Sequence, residues 1–311
     1  MTVSEFVDCL RASRSFLLLT HRRPDGDTLC SAAALCSALR RCGKSAALLP
    51  NPDITETYAP FVEKYVSGDI LPDCTVISVD TAAEHMLTEG FSGRVDLCVD
   101  HHGSNTLYAA KSLVRPDKAA CGQVIVEIIE LLCGELTREE ANLLYIALST
   151  DTGCFCYANT DAEALRCGAH LLERGAENGR LNKQLFRSAS LSRLALEGRV
   201  YSTMRSERAG TVSIAVITQK MMDECGATED DCDDLASLAG KVRGSVVAVT
   251  VREIAPGRSK VSVRTNEQVS ACEICARFGG GGHPMASGCT IEAEPYAAAD
   301  MVYAAVCEVW K

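Results

Sequence analysis

The sequence predicts an α/β protein: a doubly wound, mainly parallel sheet domain joined by a helical connector to a smaller α/β domain with a mixed sheet. Three observations predict it. Segments 15–20, 75–79 and 95–99 are mainly apolar rather than strictly alternating, as expected of strands buried on both faces. Segments with helical spacing separate them, so strand and helix alternate through about residue 175. Beyond residue 206 the order becomes β, α, β, β, α, β, α. The expected division is residues 1–180, a connector over 181–206, and a second domain over 207–311.

The first strand is Ser15 to Thr20. A helix follows over 28–41, where Leu29, Ala32, Ala33, Cys36 and Leu39 recur at helical spacing and Gly43 stops it. Thr75 to Val79 and Val95 to Val99 are further strands. Helices fit Cys121 to Cys133, Thr137 to Ser149 and Thr160 to Glu173, the last two opening on the capping boxes Thr137-x-x-Glu140 and Thr160-x-x-Glu163. Leu181 to Ser206 reads as one long helical stretch broken only by Gly198. Second-domain strands are expected at Thr211 to Thr218, Ser245 to Arg252, Lys260 to Thr265 and about Gly288 to Glu294, before a last helix at Tyr296 to Trp310. The acidic cluster Glu229, Asp230, Asp231, Asp233 and Asp234 is placed at a helix start, where it complements the helix dipole.

The strands end on chemistry. Ser15 to Thr20 runs into His21-Arg22-Arg23-Pro24-Asp25-Gly26-Asp27, Val79 into Asp80, and Val99 into Asp100-His101-His102, while Asp151 follows a further apolar segment. Each residue alone reads more readily as a cap or turn: Asp27 or Thr28 can cap the helix that follows. Four successive segments ending this way are hard to explain as capping, and ligands of open α/β sheets bind beyond the carboxyl ends of the strands. Imidazoles and carboxylates without thiolates suit Mn²⁺. Two imidazoles and about four carboxylates exceed the needs of one ion, so a two-metal site is expected, its cations bridged by a carboxylate and a water. Such a water loses a proton near neutral pH, and the cations neutralise charge on a phosphoryl oxygen. The expected reaction is phosphoester hydrolysis by a metal-bridging hydroxide.

The run Gly279 to Gly282 forfeits backbone entropy, which a fold tolerates where φ is positive or a ligand touches the backbone. Its N–H groups can form an anion nest, with His283 and the planar fork of Arg264 adding contacts. Read alone, the run is equally a flexible loop.

His21-x-x-Pro-Asp-Gly-Asp, Val79-Asp80-Thr81, Asp100-His101-His102 and Thr150-Asp151-Thr152-Gly153-x-Phe155 resemble, in order and spacing, the four motifs of the DHH phosphoesterases. Ser262-Val263-Arg264-Thr265 and Gly279-Gly280-Gly281-Gly282-His283 resemble substrate-binding motifs of the DHH-associated C-terminal domain, so the likeness spans nearly the whole chain. Within the family the chain is most similar to the two-domain nano-RNases, which degrade very short oligoribonucleotides and dephosphorylate 3′-phosphoadenosine 5′-phosphate. The resemblance implies His21, Asp25, Asp27, Asp80, His101 and Asp151 as ligands to two Mn²⁺ ions, with Mg²⁺ or Co²⁺ as substitutes. It implies Asp80 as bridge, His101 and His102 beside it in catalysis, and Asp100 as a partner orienting an imidazole, although Asp100 serves equally as a strand-end carboxylate accepting backbone N–H bonds. His102, Arg115, Arg264, the Gly280, Gly281 and Gly282 backbone and His283 are implied as substrate contacts, in a cleft expected between the domains. A homodimer is implied as well.

A net charge of −10, with neither half basic, excludes a dedicated binder of long duplex nucleic acid, which needs basic stripes. Short RNA or nucleotides gripped at one or two phosphates fit. Seventeen cysteines without a secretory signal pattern imply reduced thiols in the cytoplasm. Cys272-x-x-Cys275 has no second pair to complete a zinc site. No apolar stretch approaches the roughly 20 residues that span a bilayer, so no membrane partner is expected. Three alternatives stand beside the main reading: a phosphodiesterase of cyclic dinucleotides or their linear products, a manganese pyrophosphatase, and a catalytically silent nucleotide-binding regulatory protein. The last would be marked by loss of one of Asp25, Asp27, Asp80, His101 or Asp151.

Overall fold

The structure is a computed structural model that describes residues 1–311 except 69–72, 233–234 and 267, and leaves the side chains of Asp230 and Ala236 undescribed. The chain forms two compact units, Met1–Ser188 and Ala189–Lys311.

In the first unit, α1 (Val3–Ala12), β1 (Ser15–Leu19), α2 (Gly26–Arg41), β2 (Ser45–Leu48), α3 (Ala59–Val62), β3 (Thr75–Val79), β4 (Leu97–Asp100), β5 (Lys111–Val114), α4 (Cys121–Cys133), α5 (Arg138–Asp151), α6 (Ala162–Glu173) and α7 (Asn178–Phe186) follow one another. The five strands are all parallel in the order β2-β1-β3-β4-β5. This is a doubly wound order whose switch point lies between β1 and β3, where the chain leaves the two strands in opposite directions. The unbroken apolar run of β1 is explained by burial on both sides. Phe16 and Leu18 face the helices in the main core with Leu29, Leu35, Ile77 and Ile125, while Leu17 and Leu19 pack on the opposite face against Leu87 and Val95.

The second unit holds α8 (Leu191–Thr203), β6 (Arg205–Glu207), β7 (Val212–Ile217), α9 (Gln219–Cys225), β8 (Val247–Ala255), β9 (Arg258–Thr265), α10 (Ala271–Ala276), β10 (Gly281–His283), β11 (Ala286–Ile291) and α11 (Pro295–Val309). Its mixed sheet has the order β10-β11-β9-β8-β7-β6, parallel only between β7 and β8. One face packs on α10 and α11 through Ile274, Ala298, Val302 and Val306, the other on α8 and α9 through Leu196, Val200, Met221 and Met222.

Several expectations are corrected. The stretch 181–206 is not one helix: α7 ends at Phe186, and α8 restarts behind the Ser190 cap, whose hydroxyl accepts from the Arg193 N–H. Gly198 lies inside α8 without breaking it. The Thr137 capping box forms as read, but α6 is capped by Asp161, which accepts from Ala164, and the buried Thr160 hydroxyl has no hydrogen-bond partner among the described residues. Four short edge strands, β2, β5, β6 and β10, carried too little apolar pattern to be read. Within the acidic cluster, Asp230–Cys232 forms a 3₁₀ turn, and Asp233 and Asp234 lie outside the described residues.

Candidate metal centre

The side chains expected at the strand ends of the first unit meet at the carboxyl edge of β1, β3 and β4. Asp25, rather than Asp27 or Thr28, caps α2: its Oδ1 accepts from the N–H groups of Asp27 and Thr28 at 3.0 and 3.1 Å. Its Oδ2 stays 3.7 Å from His21 Nε2. Asp80 sits just past β3 in the left-handed region, φ 55, which an aspartate tolerates better than most residues. That turn leaves Asp80 buried, 3.9 Å from His21 Nε2 and 3.4 Å from His101 Nε2. His101 Nε2 lies 3.2 Å from Asp151 and 3.9 Å from Asp27. Asp151 reaches this place from the last residue of a helix. Gly26 permits the approach: a Cβ there would lie 2.5 Å from the Thr150 hydroxyl, so α2 and α5 pack closely because this position is bare.

The neighbours of each imidazole fix which nitrogen is offered. His21 Nδ1 is 2.7 Å from the Arg22 carbonyl and His101 Nδ1 is 3.1 Å from the Lys118 carbonyl, so both rings donate through Nδ1 and turn Nε2 toward the carboxylates. Asp100 fills both roles read for it: Oδ1 accepts from the His101 and His102 N–H groups and from His102 Nδ1 at 2.8 Å. Its other oxygen accepts from Asn105 at 2.6 Å. These bonds, together with the His102 charge, outweigh burial and hold Asp100 below the usual carboxylate range.

The remaining carboxylates are pushed the other way. Burial, followed by repulsion from Asp151, raises Asp27 to about 7, and burial with the neighbouring carboxylates raises Asp80 well above its ordinary value. Burial alone would lower His101, but the Asp151 carboxylate 3.2 Å from Nε2 and the charges of Asp27 and Asp151 lift it to about 9. Among the described residues, Asp80 Oδ1 and His101 Nε2 are buried without hydrogen-bond partners. Such orphaned polar atoms are costly unless a further group satisfies them. Among the described residues, three sets of ligand atoms lie close enough to share an ion: His21, Asp25 and Asp80; Asp27, His101 and Asp151; and Asp80, His101 and His102. Asp80 and His101 each belong to two of these sets. The donor set, imidazole and carboxylate without thiolate, fits divalent cations of the Mn²⁺ class.

Four contributors escaped the sequence reading. The N–H groups of Cys121 and Gly122 donate to Asp27 at 2.6 and 2.9 Å, and Ser31 donates at 2.9 Å. The signal was present: Ala120 precedes α4 with no capping side chain, so its first N–H groups need an acceptor from elsewhere. Asn105 carried no comparable signal. Arg115 is engaged by Asp117 at 2.7 Å and Glu127 at 3.2 Å.

In the second unit, Arg264, Ala286 and His283 are directly opposed across β9, β11 and β10, so the two basic side chains stand in one row over a small residue. Both are exposed. The glycine run is neither a loop nor a full nest. Gly279 and Gly280 donate to the Ala276 and Cys275 carbonyls and close α10, and Gly281 and Gly282 form the edge strand. Gly280 is required by packing, since a Cβ there would meet the Gly288 carbonyl oxygen at 2.3 Å.

The model of the DHH family N-terminal domain matches residues 15–148, and that of the DHHA1 domain matches residues 212–308. A bifunctional oligoribonuclease and PAP phosphatase NrnA of Thermus thermophilus is 36% identical over 282 residues, covering 88% of this chain and 83% of the relative. The protein of that name from Bacillus subtilis is 24% identical over 300 residues, covering 93% of each. A crystal structure of an exopolyphosphatase-related protein from Bacteroides fragilis superposes with a TM-score of 0.88 at 19% identity, over 98% of this chain and 95% of that one, a likeness of fold. The chain belongs to the DHH family, with a DHH N-terminal domain in its first unit and a DHHA1 domain in its second.

Proposed function

We propose that this chain is a hydrolase of phosphoesters that acts on very short oligoribonucleotides and on 3′-phosphoadenosine 5′-phosphate with two Mn²⁺ ions, for which Mg²⁺ or Co²⁺ substitute. The observation that carries the reading is the meeting of His21, Asp25, Asp27, Asp80, His101 and Asp151 around buried, unpartnered ligand atoms. The printed activities of the Thermus and Bacillus relatives support the substrate class.

His21, Asp25 and Asp80 would hold one cation and Asp27, His101 and Asp151 the other, with Asp80 shared. Bound there, divalent cations supply positive charge to a phosphoryl oxygen and lower the pKa of water. The chain itself does the rest. The N–H groups of Cys121 and Gly122 hold Asp27 in place, and the Arg22 and Lys118 carbonyls keep both imidazoles in the ligating tautomer. His102, oriented by Asp100, offers its Nε2 as a hydrogen-bond donor to a phosphate oxygen. Arg264, His283 and the exposed Gly281 backbone are the proposed substrate contacts of the second unit. Arg115 is left out, because two carboxylates occupy its guanidinium. A cytoplasmic location and a homodimer belong to the same proposal; among the described residues no helix is long and apolar enough to cross a membrane.

The test offers the purified protein, with Mn²⁺, a dinucleotide RNA, a long RNA, 3′-phosphoadenosine 5′-phosphate, a cyclic dinucleotide and pyrophosphate. Turnover of the dinucleotide and of 3′-phosphoadenosine 5′-phosphate ahead of the others is expected. Exclusive turnover of pyrophosphate or of the cyclic dinucleotide, preference for the long RNA, or no turnover at all would overturn the reading.

A further inference from the structure

We propose that Cys42 and Cys133 are a disulfide-forming pair, a modification site at which a peroxide-class oxidant fastens α2 to α4. Their Sγ atoms lie 3.0 Å apart, about 1 Å beyond a disulfide bond length of ~2.05 Å. Both sit where a shift of that size is cheap. Cys42 is the residue that ends α2 and Cys133 is the last residue of α4. Each is followed by a glycine in the left-handed region, Gly43 and Gly134, with nothing within 4 Å of where a side chain would stand.

The two sulfurs are not equivalent. Cys42 is exposed and accessible to oxidant, whereas Cys133 is partly covered. Burial and the Cys42 thiol beside it push Cys133 up to about 12. Cys42 is therefore the attacking thiol. As its thiolate it attacks one peroxide oxygen, the O–O bond breaks, and with one proton taken up the products are a sulfenic acid and water. The Cys133 sulfur then displaces hydroxide from the Cys42 sulfur, its own proton goes to that hydroxide, and the S–S bond forms with a second water released. Two thiols are oxidised by two electrons and one peroxide is reduced.

The position gives the crosslink its effect. Asp25 and Asp27 lie at the start of α2, and the N–H groups that hold Asp27 lie at the start of α4, while the cysteines lie at the opposite ends of both helices. A helix of 16 residues is about 24 Å long, so the bond ties the pair of helices together without touching the metal centre. Closing the loop between two cysteines 91 positions apart restricts the unfolded chain and so stabilises the fold. With one exposed sulfur the bond is of the reducible kind.

The experiment treats the full-length protein with hydrogen peroxide, blocks free thiols, and maps peptides without reduction. Expected are a Cys42–Cys133 linked peptide, its loss on dithiothreitol treatment and in both Cys42→Ser and Cys133→Ser, and a melting temperature raised by roughly 5 °C or more in oxidised wild type but not in oxidised Cys42→Ser. Mn²⁺ binding measured by calorimetry is expected to be the same before and after oxidation. The proposal is overturned if Cys42 is oxidised or alkylated with no linked peptide, if Cys133 is found joined to a different cysteine, or if the oxidised and reduced proteins melt together.

Discussion

Asp27 shows how much of the site is decided at single residues. It is buried, accepts three hydrogen bonds from Ser31, Cys121 and Gly122, and still faces His101 and the charge of Asp151. With its carboxyl raised from 3.8 to about 7, folding takes up a proton there, so the metal-free fold loses stability at this position as pH rises across that window and changes little above it. Chelated Asp27→Asn is therefore expected to gain stability relative to chelated wild type between about pH 4 and 7, read as the difference of their melting temperatures. A difference that shrinks over this range would contradict the assignment. Because a cation competes with that proton, Mn²⁺ affinity is expected to fall as pH drops below about 7. Asn105 acts one step further out, holding Asp100, which holds His102. Asn105→Ala is expected to lower kcat on a dinucleotide about 10-fold while leaving Mn²⁺ affinity nearly unchanged. A loss of metal binding instead would place Asn105 in support of the ligands themselves.

At the scale of elements, what could be read from the sequence follows the strength of the local pattern. Strands buried on both faces announce themselves as mainly apolar segments, and the residues that end them are the ones that converge. The Thr137 box was legible because Thr and Glu stand at the spacing that the cap uses, yet the same spacing at Thr160 failed because the adjacent Asp161 is a better cap for the turn that forms. The break between α7 and α8 was missed because Arg187 to Ser190 holds neither glycine nor proline, and Gly198 was over-read because helix packing absorbs a single glycine. Long-range donors to Asp27 leave only an indirect sign, the uncapped start of α4 after Ala120, since Cys121 and Gly122 reach it from more than ninety residues away. The glycine run divides by element too. Gly280→Ala is expected to destabilise the second unit by about 1–3 kcal/mol, because its Cβ would overlap backbone. Gly281→Ala has open space and is expected to leave stability nearly unchanged while weakening KM, if the exposed strand touches substrate. Denaturant melts and steady-state kinetics of the two variants separate the structural role from the binding one; a stable Gly280→Ala would refute the packing argument.

For the molecule as a whole, a chain of net charge −10 that gathers four carboxylates into one edge of a sheet is poorly suited to a polyanion until that edge is neutralised. Divalent cations would resolve the conflict: held there, they would pair the buried Asp80 and His101 atoms, offset the mutual repulsion of the carboxylates and make an acidic pocket a seat for phosphate. The claim is tested most directly by anomalous scattering from crystals grown with manganese. The account predicts two peaks roughly 3.5 to 4 Å apart, one within bonding distance of His21, Asp25 and Asp80 and the other of Asp27, His101 and Asp151, with Asp80 touching both. A single peak, or manganese bound elsewhere while these six side chains keep their places without it, would contradict it.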